Sequence, residues 1–301
     1  MKNSNYYAEE QEREQKFLTE GPFYHANTPE DYPVIFTNDN DYRDAMSILA
    51  LTAMSFPKVN VYAFQLMSNH IHLLSSGQLS DIQDFLDYFI ARLKKHFCEA
   101  VDIKTFQFKL FHIHNLDYLR NAIAYVNRNG FVVNDNVTPF SYPWGTSAYF
   151  FQPLLRDYEK VSGTAIGTKR IRELMHSRYF DNYKDVNETG GYISPAVYCR
   201  ISEAEQLFRN ARQYFYYTSR NVEAHSEIAK TIGEALCYTD NDLCYIATKL
   251  AKRDYGADKI LELNAAQKMT IAKLLHYEYN ASDKQLQRVL KIPQDLLKSL
   301  F

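Results

Sequence analysis

The sequence predicts an α+β fold in which an antiparallel sheet with helices is followed by an all-α C-terminal domain. Three observations carry that expectation. Between residues 34 and 129, stretches with strand-like alternation interleave with stretches of helical spacing. Beyond residue 153 only helical spacing recurs. The 301 residues are 46% hydrophobic and 15% aromatic, enough apolar material for one large or two ordinary cores.

In chain order, residues 1–20 read as a polar helical lead-in. Residues 21–40 carry Pro22, Pro29 and Pro33, so they read as loops around one short strand at 34–36. Ala45, Ile48, Leu49 and Ala53 fall at helical spacing in residues 42–56, and Pro57 stops that helix. Residues 59–66 alternate as a strand, Ser68-Asn69 turns the chain, and residues 70–75 return as the second strand of a hairpin. Ser80 and Asp81 precede an amphipathic helix through Phe85, Leu86, Phe89, Ile90, Leu93 and Phe97. A strand over 106–113 leads to a helix over 116–129, which Gly130 is expected to end. This order is close to the ferredoxin-like arrangement plus one helix. Helices are then expected at 169–177, 202–218, 222–236, 241–255 and 265–279. A domain boundary is placed near residue 153, giving domains 1–153 and 154–301. Residues 265–301 resemble a helix-turn-helix, although a plain three-helix cap fits the same pattern.

Several function classes are disfavoured at once. Cys98, Cys199, Cys237 and Cys244 never approach within a C-x-x-C spacing, so neither a zinc knuckle nor a disulfide exchanger is expected. No apolar run approaches the roughly 18 residues of a membrane span, and the N-terminus lacks a signal-like stretch. A soluble cytoplasmic protein is expected. The formal net charge of -2 gives no overall sign of nucleic-acid binding, so any such function must be built locally.

The local signal begins with His70-Ile71-His72, where residues two apart on a strand share a face and two imidazoles can chelate one divalent cation. Two ordinary half-buried histidines give the same pattern, and His112-Ile113-His114 repeats it without further partners. That second pair is read as structural, or as lining a DNA groove. What sets the first apart is Tyr125 and Asn129, four apart in a helix and therefore on one face. Asn129 can supply an amide oxygen as a third ligand and Tyr125 a hydroxyl. A cation so held, Mg²⁺ or Mn²⁺, would keep open positions for phosphate oxygens and would activate a phosphodiester toward a phenol that is otherwise a poor nucleophile.

The run from Tyr62 to Leu74, Tyr-Ala-Phe-Gln-Leu-Met-Ser-Asn-His-Ile-His-Leu-Leu, resembles the HUH motif region of the single-tyrosine transposases, in particular REP-associated tyrosine transposases and insertion-sequence transposases. Phe23-Tyr24-His25 and Val34-Ile35-Phe36 resemble that family's opening strand, and Tyr125 to Gly130 its tyrosine helix. The segment from Tyr142 to Tyr149, containing Trp144 and Ser147, resembles its closing segment. The resemblance covers about residues 20–153. It implies an HUH transposase-like domain with His70, His72 and Asn129 as metal ligands and Tyr125 as the nucleophile. It implies too that Tyr125 becomes joined to a 5′ phosphate while a 3′ hydroxyl leaves. The implied partner is single-stranded DNA beside hairpins, and a homodimer is among the arrangements such proteins adopt. Ser68 and Gly130 stand where the family often has proline, and Gly130 is expected to loosen the end of the helix.

Other readings compete. A domesticated relative would bind hairpins without cutting, and a transcriptional regulator would act through the C-terminal helices. A histidine-triad hydrolase would want a further histidine at position 74, which is Leu74. The basic runs 92–96 and 169–172 could contact phosphates or simply face solvent.

Overall fold

A computed structural model describes residues 2–30, 32–97, 106–132, 138, 140–177, 186–220, 222–234 and 238–297. Cys98, Cys237 and the expected helix end at Leu236 lie outside the described residues. The chain forms two compact units, 1–234 and 235–301.

In the first unit, α1 (Lys2–Glu20) leads into β1 (Phe23–Asn27), then α2 (Asp39–Ser55), β2 (Asn60–Leu66), β3 (Ile71–Ser76), α3 (Leu79–His96), β4 (Lys109–Ile113) and α4 (Leu116–Val132). The four strands make one antiparallel sheet in the order β2-β3-β1-β4. Tyr24, Ala26, Phe64, Leu66, Ile71 and Leu73 join Ile48, Leu49, Phe85 and Phe89 of α2 and α3 in one core cluster. The opposite face of β1, β2 and β3 is covered by α4, whose Leu119, Ala122, Ile123, Tyr125 and Val126 are all buried.

Two expectations change here. The opening strand is β1, not 34–36. Ile35 and Phe36 are buried, but both donate their N–H to one carbonyl, that of Ser68, at 2.7 and 3.0 Å, which straps a loop onto the hairpin turn and forms no ladder. All five residues of β1 are buried because strands flank it on both sides and helices or loops cover both faces, so it shows no alternation. Gly130 does not end its helix, which continues to Val132; it is buried, and a Cβ there would overlap the Gln65 amide and the Tyr142 ring. Glycine is required at this position for close approach.

The chain continues through α5 (Pro153–Val161), β5 (Thr164–Ala165), α6 (Thr168–Met175), β6 (Asn187–Glu188), α7 (Pro195–Tyr198), α8 (Ile201–Gln206), α9 (Ala211–Arg220) and α10 (Val222–Ile232). One helix was expected over 202–218. The Leu207 carbonyl instead accepts from Arg120 Nε at 2.7 Å, and Asn210 Oδ1 starts α9 by accepting from Gln213 N at 3.0 Å. Packing also divides the chain later than composition suggests. Phe150 stacks on Tyr214 of α9, and Asn127 Nδ2 donates to the Tyr214 hydroxyl at 3.0 Å, so helices beyond residue 153 complete the core around α4.

The second unit contains α11 (Asp240–Tyr255), α12 (Ala265–Tyr279), α13 (Asp283–Leu290) and α14 (Gln294–Leu297). Capping boxes at Thr239, Asn264 and Ser282 set the first three starts. Among the described residues, no helix is long and apolar enough to cross a membrane.

Candidate metal centre

The strand register sets the site. Asn27 of β1 lies opposite His72 of β3, which lies opposite Gln65 of β2, so three polar side chains form one row on the face covered by α4. His70 sits just before β3, where its carbonyl accepts from Met67 N at 2.8 Å and closes the hairpin turn. Helical spacing in α4 places Tyr125 and Asn129 over this row.

The residues named from sequence come together. Asn129 Nδ2 donates to His72 Nε2 at 3.0 Å, and the Tyr125 ring lies 5.7 Å from the His72 ring, edge to face. Glu234, immediately after α10, joins them. The Tyr125 hydroxyl donates to Glu234 Oε2 at 2.9 Å, Asn27 Nδ2 donates to Oε1 at 2.6 Å, and His72 Nε2 approaches Oε2 at 3.5 Å. One potential ligand atom from each of His70, His72 and Glu234 falls within 4.8 Å of the others. His25 of β1 stands behind, its Nε2 sharing a 3.3 Å hydrogen bond with His72 Nδ1, while His70 Nδ1 is 2.9 Å from Asn69 Oδ1.

The centre of the cluster is buried, with Tyr125 1% exposed and the side chains of His72 and Glu234 0% and 3% exposed, while His70 and Asn129 are half-buried at its edge. Burial pushes the His72 imidazole down to about 3, and burial with the nearby His72 does the same to His70. The contact between His72 and Glu234 is therefore not an ion pair at neutral pH; it sets a neutral ring against a carboxylate. Burial followed by the Glu234 charge raises Tyr125 well above its ordinary value, and burial raises Glu234. Two neutral imidazoles and one carboxylate suit a divalent cation. His25 Nδ1 and Asn27 Oδ1 are buried without a hydrogen-bond partner among the described residues.

Sequence reasoning missed Glu234, Asn27 and His25 as members of the cluster. His25 lies in a stretch that carried the resemblance; Glu234 belongs to no motif, and only its place after a helix-ending glycine marks it. His112 and His114 are apart from this centre, exposed, with their Nδ1 atoms 2.9 Å from each other. Parts of the basic runs turn inward: Arg92 donates to the Met175 carbonyl, and His96 and Arg170 share Asp44. A cavity of about 490 Å³ beside β2, lined in part by Asn60, Lys160, Tyr198 and Arg200, includes none of these site residues. No known protein family, curated protein or solved structure matches the chain.

Proposed function

We propose that the chain is a divalent-metal-dependent single-stranded DNA strand transferase of the HUH single-tyrosine type, acting beside DNA hairpins with Tyr125 as nucleophile. The observation that carries this reading is the meeting of one phenol with His70, His72 and Asn129 in a single cluster. Strand order β2-β3-β1-β4, with α2 and α3 on one face, supports a ferredoxin-like arrangement, and α12 with α13 is the candidate duplex-reading pair.

In this reading His70 and His72 hold Mg²⁺ or Mn²⁺, with Asn129 as a further donor once its amide turns to present oxygen. The bound cation supplies Lewis-acid polarisation of the scissile phosphate. The Tyr125 oxygen attacks phosphorus, its proton passes to the Glu234 carboxylate that already accepts it, and the 3′ oxygen leaves. Reverse attack by a 3′ hydroxyl rejoins the strand. Because Tyr125 is 1% exposed, a strand reaches it only when the surrounding side chains part. The same burial favours a second reading, a hairpin-binding protein that does not cut.

Incubation of the full chain with an end-labelled single strand carrying a hairpin, in the presence of Mn²⁺, separates the two. A covalent adduct absent from Tyr125→Phe is expected. Hairpin binding without an adduct in the wild type would establish the second reading.

A further inference from the structure

We propose that Glu234 is a direct ligand of the cation, making the resting centre a His70–His72–Glu234 site. The inference deepens the strand-transfer reading and rests on it only for the cation's purpose. Glu234 lies 109 positions from Tyr125 in sequence, well beyond the stretch that carries the family resemblance.

Each of the three groups is oriented as a metal ligand requires. A ligating imidazole generally presents one nitrogen to the metal while its other nitrogen is held by a second group, and ligating carboxylates are themselves hydrogen-bonded. His70 Nδ1 is held by Asn69 and His72 Nδ1 by His25, and His72 turns its Nε2 toward Asn129 and Glu234. Glu234 receives Asn27 on one oxygen and Tyr125 on the other.

The distances around His72 point the same way. His72 Nε2 lies 3.0 Å from Asn129 Nδ2 and 3.5 Å from Glu234 Oε2, so an imidazole nitrogen and a carboxylate oxygen stand side by side. A cation between such a pair would bind both atoms, and two bonds of about 2.1 Å span that separation. Glu234 is better suited than Asn129 to be the third ligand. A carboxylate offsets part of the cation's charge where the dielectric is low, and the Asn129 amide must first turn over to present oxygen at all. A carboxylate can also be exchanged for a phosphodiester oxygen, so opening the site to a strand and changing the ligand set become one movement.

The test is calorimetric titration of Mn²⁺ into EDTA-treated full-length protein, comparing wild type, Glu234→Gln and Asn129→Ala, with His72→Ala as the loss-of-site control and thermal melts in EDTA to show that each variant is folded. The wild type is expected to bind Mn²⁺, E234Q at least about tenfold more weakly, and N129A with a smaller loss. Wild-type affinity in E234Q overturns the proposal, as does absence of Mn²⁺ binding by the wild type. Should E234Q fail to fold, a crystal of the wild type with Mn²⁺ decides. An anomalous peak in bonding contact with Glu234 supports the proposal, and a peak held by His70, His72 and Asn129 without Glu234 overturns it. Weakened binding by E234Q in a protein that forms no DNA adduct leaves this inference standing and the strand-transfer reading fallen. Unchanged binding alongside a wild-type adduct does the reverse.

Discussion

Replacing Gly130 by alanine is expected to destabilise the first unit, against the usual effect of that change in a helix. Within an open helix, alanine in place of glycine stabilises by about 1 kcal/mol. At position 130 the added methyl overlaps the Gln65 amide and the Tyr142 ring. Neither neighbour has room to retreat: Gln65 is fully buried and also packs against Gly145, and the Tyr142 hydroxyl is tied to the Leu66 carbonyl at 2.7 Å. Overpacking a rigid site costs about 3 kcal/mol at the upper end, so the net loss is about 2 kcal/mol. For a unit of this size that lowers the melting temperature by about 4–8 °C. Trp144 is the chain's single tryptophan and stacks on Tyr42 inside the first unit, so urea unfolding followed by its fluorescence reads this unit alone. An unchanged or raised midpoint for Gly130→Ala, at constant slope, would refute the argument that close approach selects glycine here.

Truncation gives a second outcome: residues 1–234 should melt cooperatively, whereas 1–153 should not, because the shorter piece loses Tyr214 from Phe150 and Asn127; circular dichroism distinguishes them. Stability should also fall with acid. His225, buried and beside Arg128, whose guanidinium donates to its Nδ1 at 2.5 Å, is held neutral in the folded state well below its ordinary value, first by burial and then by that charge. The unfolded chain therefore takes up the proton first. This contribution is complete above about pH 6.5 and is lost below it at up to about 1.4 kcal/mol per pH unit. Urea midpoints at pH 7.5 and 5 should differ less in His225→Gln, and equal pH dependence in the two proteins contradicts the assignment. In the second unit, Leu286→Ala removes a fully buried side chain and should cost about 2–5 kcal/mol, read as a lowered melting step that leaves the Trp144 signal unchanged.

Much of this was legible from local pattern. The helices expected at 42–56 and 265–279 correspond to Asp39–Ser55 and Ala265–Tyr279, since caps and periodicity are short-range signals. The hairpin carrying His72, with His70 at its turn, and the shared face of Tyr125 and Asn129 follow from spacing alone. Contacts distant in sequence were not legible. β1 shows no alternation because both of its faces are buried, and residues 34–36 are apolar for packing but spend their N–H groups on the Ser68 carbonyl. Glu234 reaches Asn27 across 207 positions, and nothing near residue 234 encodes that meeting. The late end of the first unit has the same cause: α9 supplies Tyr214 to a core begun much earlier in the chain.

The proposed strand transfer depends most on the Tyr125 oxygen as its nucleophile. Protein incubated with hairpin-bearing single-stranded DNA and Mn²⁺, then digested with nuclease and protease, should yield one peptide bearing a nucleotide remnant, and fragment masses should place it on Tyr125. A remnant on another of the chain's 24 tyrosines, or none in protein that demonstrably binds the hairpin, would contradict it.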